Sequence, residues 1–190
     1  MKEGTIEHIL QIGTDLIIRN GFHNIGLKKI LDEAGIPKGS FYYYFNSKDD
    51  FGQKVINYYS KGVEEFLRGK LESQKIEPKQ RIIDLLESMK AVYKDEDFAR
   101  GCLLGNSSLE LSAQNTSFAT LIDESFNRWQ KLFSTAIEEG QKSGNIKRSM
   151  SPDQYASFIL NSWEGALVRM KSTKNNEPLD LLIDVLKNML

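Results

Sequence analysis

Apolar residues recur along this chain at intervals of three and four, the spacing that lines one face of an α-helix, and no sustained period-two alternation marks a strand. The pattern predicts an all-α protein. A first helix carries Ile6, Ile9, Leu10, Gly13, Leu16 and Ile17 on one face, with Thr5 expected as its N-cap and Asn20-Gly21 as its end. A short second helix presents Leu27, Ile30, Leu31 and Ala34. Gly35 can adopt the left-handed conformation that closes a helix, and Pro37 disfavours helical backbone at Ile36, so the second helix stops there. A third begins within a few residues. Two short helices joined so tightly cross at a steep angle, the geometry of a helix-turn-helix. The second of the pair turns Phe41 and Phe45 inward and Lys38, Ser40, Tyr42 and Tyr43 outward.

From Ser47, an N-cap followed by Asp49 and Asp50, a long helix is expected to about Lys70, with Val55, Tyr59, Val63, Phe66 and Leu67 as one stripe. After Glu77-Pro78, Ile82, Leu85, Leu86, Met89 and Tyr93 share a face to about Lys94, and DEDFARG reads as a connection. GCLLGNSSLELS is a short helix. Ser117 to Ser143 is a long one with Phe118, Leu121, Ile122, Trp129, Leu132, Phe133 and Ile137 inward. Pro152 sits in the first turn of the next helix after a serine cap, with Tyr155, Ile159, Trp163, Leu167 and Met170 on a broad apolar band. Pro178 opens a final helix with Leu179, Leu182, Ile183, Val185, Leu186 and Met189, apolar over more than one face. Such a surplus predicts a second partner surface.

Composition narrows the class. With 190 residues and 40% apolar, the chain can bury a core, and it contains no apolar run long enough to span a bilayer. The start, MKEGTIEHIL, is acidic and lacks a signal-peptide core, so a cytoplasmic protein with no membrane partner is expected. A single cysteine, Cys102, excludes an internal disulfide and a cysteine-cluster metal site. The formal net charge is −1, yet between Arg19 and Lys48 five cations face two anions, leaving that segment net positive by three. This is a local electrostatic footprint for nucleic acid.

The run AGIPKGSFYYYFNSKDDF resembles the DNA-binding signature of the TetR family of bacterial transcriptional regulators. It matches the alanine-glycine turn, the Tyr-x-Tyr-Phe helix (Tyr42, Tyr44, Phe45) and the lysine, Lys48, that opens the next helix. The resemblance implies a three-helix DNA-binding domain over residues 1–46 and a larger helical regulatory, ligand-binding and dimerisation domain over 47–190. It also implies that Phe22 packs beneath the first domain and that the helix after Ser47 acts as a lever. The DNA-binding candidates are Lys28, Lys38, Gly39, Ser40, Tyr42, Tyr43 and Lys48, with Lys38 and Ser40 suited to reading bases; His23 reads as a surface-loop residue. The last two helices would pair with those of a second subunit as a four-helix bundle, giving a homodimer and an inverted-repeat operator. Two departures stand out. Ile25 and Gly26 replace a common Ser or Thr at the second-helix cap, leaving Asn24 or Gly26 to serve, and Ile6 stands where an arginine is common.

Regulation by a small organic molecule follows from the same resemblance, and the expected function is a ligand-responsive repressor. Candidate pocket residues are Tyr93, Phe98, Cys102, Asn106, Phe126, Trp129, Trp163, Glu164 and Arg169, aromatics with a few polar groups on facing helices. Gly101-Cys102-Leu103-Leu104-Gly105-Asn106 resembles a subgroup in which some members respond to electrophiles or oxidants. A thiol in the first turn of a helix near Arg100 would favour its thiolate. Two alternatives therefore stand beside the first reading: a DNA-binding protein without an effector, and a thiol-based sensor acting through Cys102. An enzyme is not expected. Both histidines, His8 and His23, lie in the first 23 residues, and there is no phosphate-cradling glycine loop, metal-spaced cluster or sign of a cofactor.

Overall fold

A computed structural model of the chain describes residues 2–95 and 98–190, apart from the side chains at positions 2, 3, 38 and 95. Among the described residues there are helices and no strand: α1 Lys2–Asn20, α2 Leu27–Ala34, a 3₁₀ turn Lys38–Ser40, α3 Phe41–Tyr44, α4 Lys48–Leu71, α5 Pro78–Asp95, α6 Leu103–Leu111, α7 Thr116–Ser143, α8 Pro152–Thr173 and α9 Glu177–Met189. The expected connection over DEDFARG lies partly outside the described residues.

Two compact units are distinguished, one of Met1–Gly62 with Cys102–Ser125 and one of Val63–Gly101 with Phe126–Leu190. Two of the boundaries fall inside α4 and α7, and the third falls just before α6. The first unit thus takes in the three N-terminal helices, the start of α4, all of α6 and the start of α7.

In the first unit, Gly21 ends α1 with φ +81° and donates its N–H to Ile17 O. Gly35 ends α2 with φ +64°, and Ile36 N–H returns to Leu31 O at 3.0 Å, so the predicted stop is a Schellman-type closure. Pro37 then sits in extended backbone, and Ser40 N–H bonds Pro37 O at 2.8 Å to form the 3₁₀ turn. Phe41, Phe45 and Phe51 form a fully buried aromatic cluster with ring centroids 5.0–5.8 Å apart. Each such ring contributes about 1.5–3 kcal/mol by burial, which anchors the single turn of α3 to α4. Gly13 and Gly52 let α1 and the Phe22 loop approach α4, since a Cβ at either would strike Phe51 or Phe22.

Two local expectations are corrected, at Thr5 and at Phe66, and one open alternative, the cap of α2, is resolved in favour of Gly26. The backbone is already helical from Lys2, so Thr5 lies within α1, where a cap has no helix start to serve. The cap of α2 is Gly26, in extended backbone and without a side-chain bond, whereas Asn24 Nδ2 donates to Asn20 O. Phe66 is 43% exposed while its neighbour Leu67 is buried, because adjacent helical residues point about 100° apart and only one of them can face the core.

In the second unit, α8 and α9 pack against each other and α5 packs on α9, around Leu85, Tyr155, Ile159, Leu179, Ile183 and Leu186. The predicted serine cap of α8 is a full capping box: Ser151 Oγ accepts Gln154 N–H and Gln154 Oε1 accepts Ser151 N–H. Arg81, buried in α5, donates from Nη1 to Leu71 O, the last carbonyl of α4, and its Nη2 pairs with Glu139 of α7. Phe158 and Val168 of α8 and Leu181 and Val185 of α9 remain exposed.

Candidate nucleic-acid interface

The outward surface of the helix-turn-helix is built on a minimal element. A four-residue α3 cannot hold its own conformation, because one turn does not repay the cost of nucleating a helix. Its fixing points are therefore external. Phe41 and Phe45 clamp it from below, and they turn Tyr42 and Tyr43 into solvent, 65% and 66% exposed. Gly39 is exposed with open space where a Cβ would be, so backbone can be approached closely there. Ser40 is half-buried and Lys28 is exposed on α2. The side chain of Lys38 lies outside the described residues.

Lys48 is placed differently from a free phosphate ligand. Its Nζ donates to His23 O at 3.4 Å and stands 4.7 Å from the Phe22 ring centroid. Desolvation by burial lowers its pKa, partly offset by the nearby carboxylates of Glu110 and Asp49. The ammonium thereby holds the loop between α1 and α2. The same loop is gripped from α6: Glu110 Oε2 accepts Phe22 N–H at 2.9 Å and Oε1 accepts His23 N–H at 2.6 Å. His23 is exposed in this loop, and Phe22 is buried edge-on against Phe118, as expected of its packing role. Nothing in the sequence pairs residue 110 with residue 22.

At the other end, Asp50 of α4 accepts Asn46 N–H at 2.8 Å and Lys54 Nζ at 2.9 Å, and Ser47 Oγ caps Asp50 N–H at 3.0 Å, the predicted N-cap. Lys54 Nζ also donates to Tyr44 O at 3.3 Å and stands 5.3 Å from the Phe45 ring. The backbone bond from Asn46 and the ion pair with Lys54 hold the Asp50 carboxyl below its usual range. The i,i+4 spacing of Asp50 and Lys54 is visible in the sequence, but their grip on α3 is not.

The candidate pocket residues are distributed over both units. Cys102 and Asn106 belong to the first, whereas Tyr93, Phe98, Phe126, Trp129, Trp163, Glu164 and Arg169 belong to the second. Within the second, the rings of Tyr93 and Trp163 lie 6.4 Å apart and those of Phe126 and Trp129 5.6 Å apart; Tyr93, Trp129 and Trp163 are buried. Phe98 has φ +54° and returns its N–H to Tyr93 O at 3.0 Å, closing α5. Glu164 is half-buried and Arg169 exposed. Cys102 is the N-cap residue of α6, one position before the expected first turn, and is buried; Tyr59 Oη donates to its Sγ at 3.9 Å. Among the described residues no His, Cys, Asp and Glu group could hold a metal ion, and no helix is long and apolar enough to cross a membrane.

Residues 9–53 match the bacterial regulatory proteins of the tetR family, and residues 78–186 match the tetracyclin repressor-like C-terminal domain. The chain belongs to the TetR family. Its DNA-binding region is thus the helix-turn-helix described above, and its relatives share most of their length with it. This TetR-family chain is 35% identical over 179 residues to the HTH-type transcriptional repressor DhaR of Mycobacterium sp. strain GP1, covering 94% of this chain and 88% of that protein. It is 28% identical over 189 residues to the HTH-type transcriptional repressor NemR of Escherichia coli K12, covering 100% and 95%. The crystal structure of the reduced form of E. coli NemR superposes with a TM-score of 0.90 at 29% identity over 98% of this chain and 97% of that one. The regulatory protein TetR from Rhodobacter sphaeroides also gives 0.90, at 27% identity over 96% of both chains.

Proposed function

We propose that this chain is a ligand-responsive transcriptional repressor that acts in the cytoplasm, binds an inverted-repeat operator as a homodimer and is released from it by a small organic molecule. The observation that carries the reading is the pair of exposed tyrosines, Tyr42 and Tyr43, held on a clamped turn inside a helix-turn-helix. Relatives named as repressors over nearly the whole chain support the repressor sense. Residues 1–46 supply DNA recognition, through Lys28, Lys38, Gly39, Ser40, Tyr42 and Tyr43, joined by Lys48 at the start of α4, which also holds the loop before α2, and residues 47–190 supply effector binding and dimerisation. The exposed apolar face of Phe158, Val168, Leu181 and Val185 supports dimerisation through α8 and α9. An apolar effector would meet the aromatic rings around Tyr93 and Trp163. The chain acts by binding, and no catalytic step is assigned to it.

Fluorescence anisotropy with a duplex from the DNA flanking its own gene tests this. Sequence-dependent binding relieved by one class of compound is expected, and the Tyr42→Ala variant should lose affinity while keeping its thermal midpoint, because Tyr42 touches little of the core. Binding that never exceeds that of an unrelated duplex would instead refute the operator reading.

A second reading is favoured by one residue. Cys102 starts α6 and accepts a hydrogen bond from Tyr59, and a relative has been crystallised in a form described as reduced. The inducer would then be an electrophile or oxidant acting on the thiol. Cys102→Ser should abolish release from DNA by a thiol-reactive compound, and normal release would end this reading.

A further inference from the structure

We propose that Lys54, held by Asp50, is a positioning residue for sequence recognition: it braces the C-terminal end of the recognition turn without contacting DNA itself. This rests on the DNA-binding role of the helix-turn-helix. Helix α3 is so short that its four residues leave their last carbonyls without the usual helical partners. Phe41 O is taken by Phe45 N–H at 2.9 Å. Tyr44 O is taken by Lys54 Nζ at 3.3 Å, a cation placed where the helix dipole is negative. The ammonium cannot drift far. Asp50 Oδ2 holds it at 2.9 Å, and the Phe45 ring lies beneath it with its centroid 5.3 Å away. Asp50 meanwhile accepts Asn46 N–H, so one carboxylate fixes both the chain leaving α3 and the lysine that caps it.

The consequence is geometric. Tyr42 and Tyr43 project from the braced turn, so a rotation of α3 about its buried phenylalanines would move both rings without unfolding anything. Base-edge contacts are lost by small displacements, whereas contacts to a uniform phosphate backbone tolerate them. Removing the brace should therefore lower discrimination between sequences more than it lowers binding as such. If Lys54 served as a phosphate ligand, its loss would weaken all DNA equally and reduce the salt dependence. Asp50 sharpens the contrast. Asparagine keeps an oxygen for Asn46 N–H and loses only the charge, so in a phosphate-contact role Asp50→Asn frees the ammonium and leaves discrimination unreduced, whereas in the brace it loosens the ion pair that holds Lys54 in place.

The full-length wild-type protein is first used to select an operator from a randomised duplex pool. Affinities for that operator and for poly(dI-dC) are then measured across salt for Lys54→Met, Lys54→Arg and Asp50→Asn, with thermal midpoints in parallel. The expected result is a specific-to-non-specific ratio lowered about three- to tenfold in Lys54→Met and in Asp50→Asn, with an unchanged salt slope in Lys54→Met, as for loss of a partly exposed charge-assisted bond. Lys54→Arg, which keeps a cationic donor at this position, should restore the ratio. An unchanged ratio in Lys54→Met with a salt slope reduced by about one would overturn the proposal in favour of a phosphate contact. An unchanged or raised ratio in Asp50→Asn would also overturn it, and this variant decides the matter if Lys54→Met does not fold. A wild-type protein that enriches no sequence overturns the operator reading, and the brace with it.

Discussion

Replacing Glu110 tests how firmly α6 holds the loop that leads into the helix-turn-helix. Its carboxylate accepts two consecutive backbone donors, Phe22 N–H at 2.9 Å and His23 N–H at 2.6 Å. A hydrogen bond to a charged acceptor contributes about 1.5–3 kcal/mol. The Phe22 amide is partly buried and takes the fuller value, while the exposed His23 amide is re-solvated when released and contributes roughly 0.5–1 kcal/mol. Glu110→Ala should therefore ease local opening of the loop by about 2–4 kcal/mol. Glu110→Gln retains one acceptor but turns its NH₂ towards the second N–H donor, so it should lose about as much of one bond as alanine loses. Amide hydrogen exchange on the intact protein reads this directly: Phe22 and His23 should exchange roughly 30- to 700-fold faster in Glu110→Ala, the equivalent of about 2–4 kcal/mol at tenfold per 1.4. Amides in the middle of α1, such as Gly13, should change far less. Exchange at Phe22 and His23 within twofold of the wild type would refute the argument.

Three further outcomes follow from packing and charge. Gly52→Ala places a methyl group into the Phe22 ring and 3.1 Å from Phe118 Cζ, so urea unfolding should show a loss of about 1–3 kcal/mol from overpacking. Arg81→Met strands the buried Leu71 carbonyl and should cost about 1–3 kcal/mol, whereas Glu139→Gln, at a partner that remains 43% exposed, should cost under about 1 kcal/mol; equal losses in the same denaturation assay would contradict this asymmetry. Glu87, hydrogen-bonded to Lys90 and Lys187, has its carboxyl held below its ordinary value, first by Lys90. A depressed carboxyl stabilises the fold above its unfolded pKa and loses that contribution as pH falls through the folded one. Thermal midpoints should thus fall less steeply on the acid side in Glu87→Gln than in the wild type, a shift that stays small because the pair is partly exposed.

Elements that depend on their own residues were legible in the sequence. Gly35 followed by Pro37 specifies the end of α2, and Ser151-Pro152 with Gln154 specifies the start of α8, because each signal acts over three or four residues of backbone. The inward phenylalanines of α3 and the outward tyrosines follow from the same local period. Where the reading failed, two local signals competed. Thr5 offers a hydroxyl in a stretch whose residues are helical before it, and Phe66 and Leu67 compete for one face. The ties that aim the recognition turn were harder to foresee. Glu110 meets Phe22 across 88 positions, and Lys54 meets a backbone carbonyl, an acceptor that every residue carries and that no pattern of side chains distinguishes.

These ties give the first unit a consistent mechanical logic. A recognition turn of four residues owes its position to its surroundings: the closure at Gly35, the 3₁₀ turn before Phe41, the phenylalanine cluster beneath and the Lys54 brace behind. The loop that feeds α2 is held by Lys48 from α4 and by Glu110 from α6. Helix α6 is only nine residues, roughly 13 Å, long; Cys102 is its N-cap and Glu110 lies in its last turn. If this short helix, packed on α1, moves as a rigid rod, a displacement of its start would reach the Phe22 and His23 amides. A change at the Cys102 end that leaves hydrogen exchange at Phe22 and His23 unaltered would show that α6 yields internally and does not carry the motion.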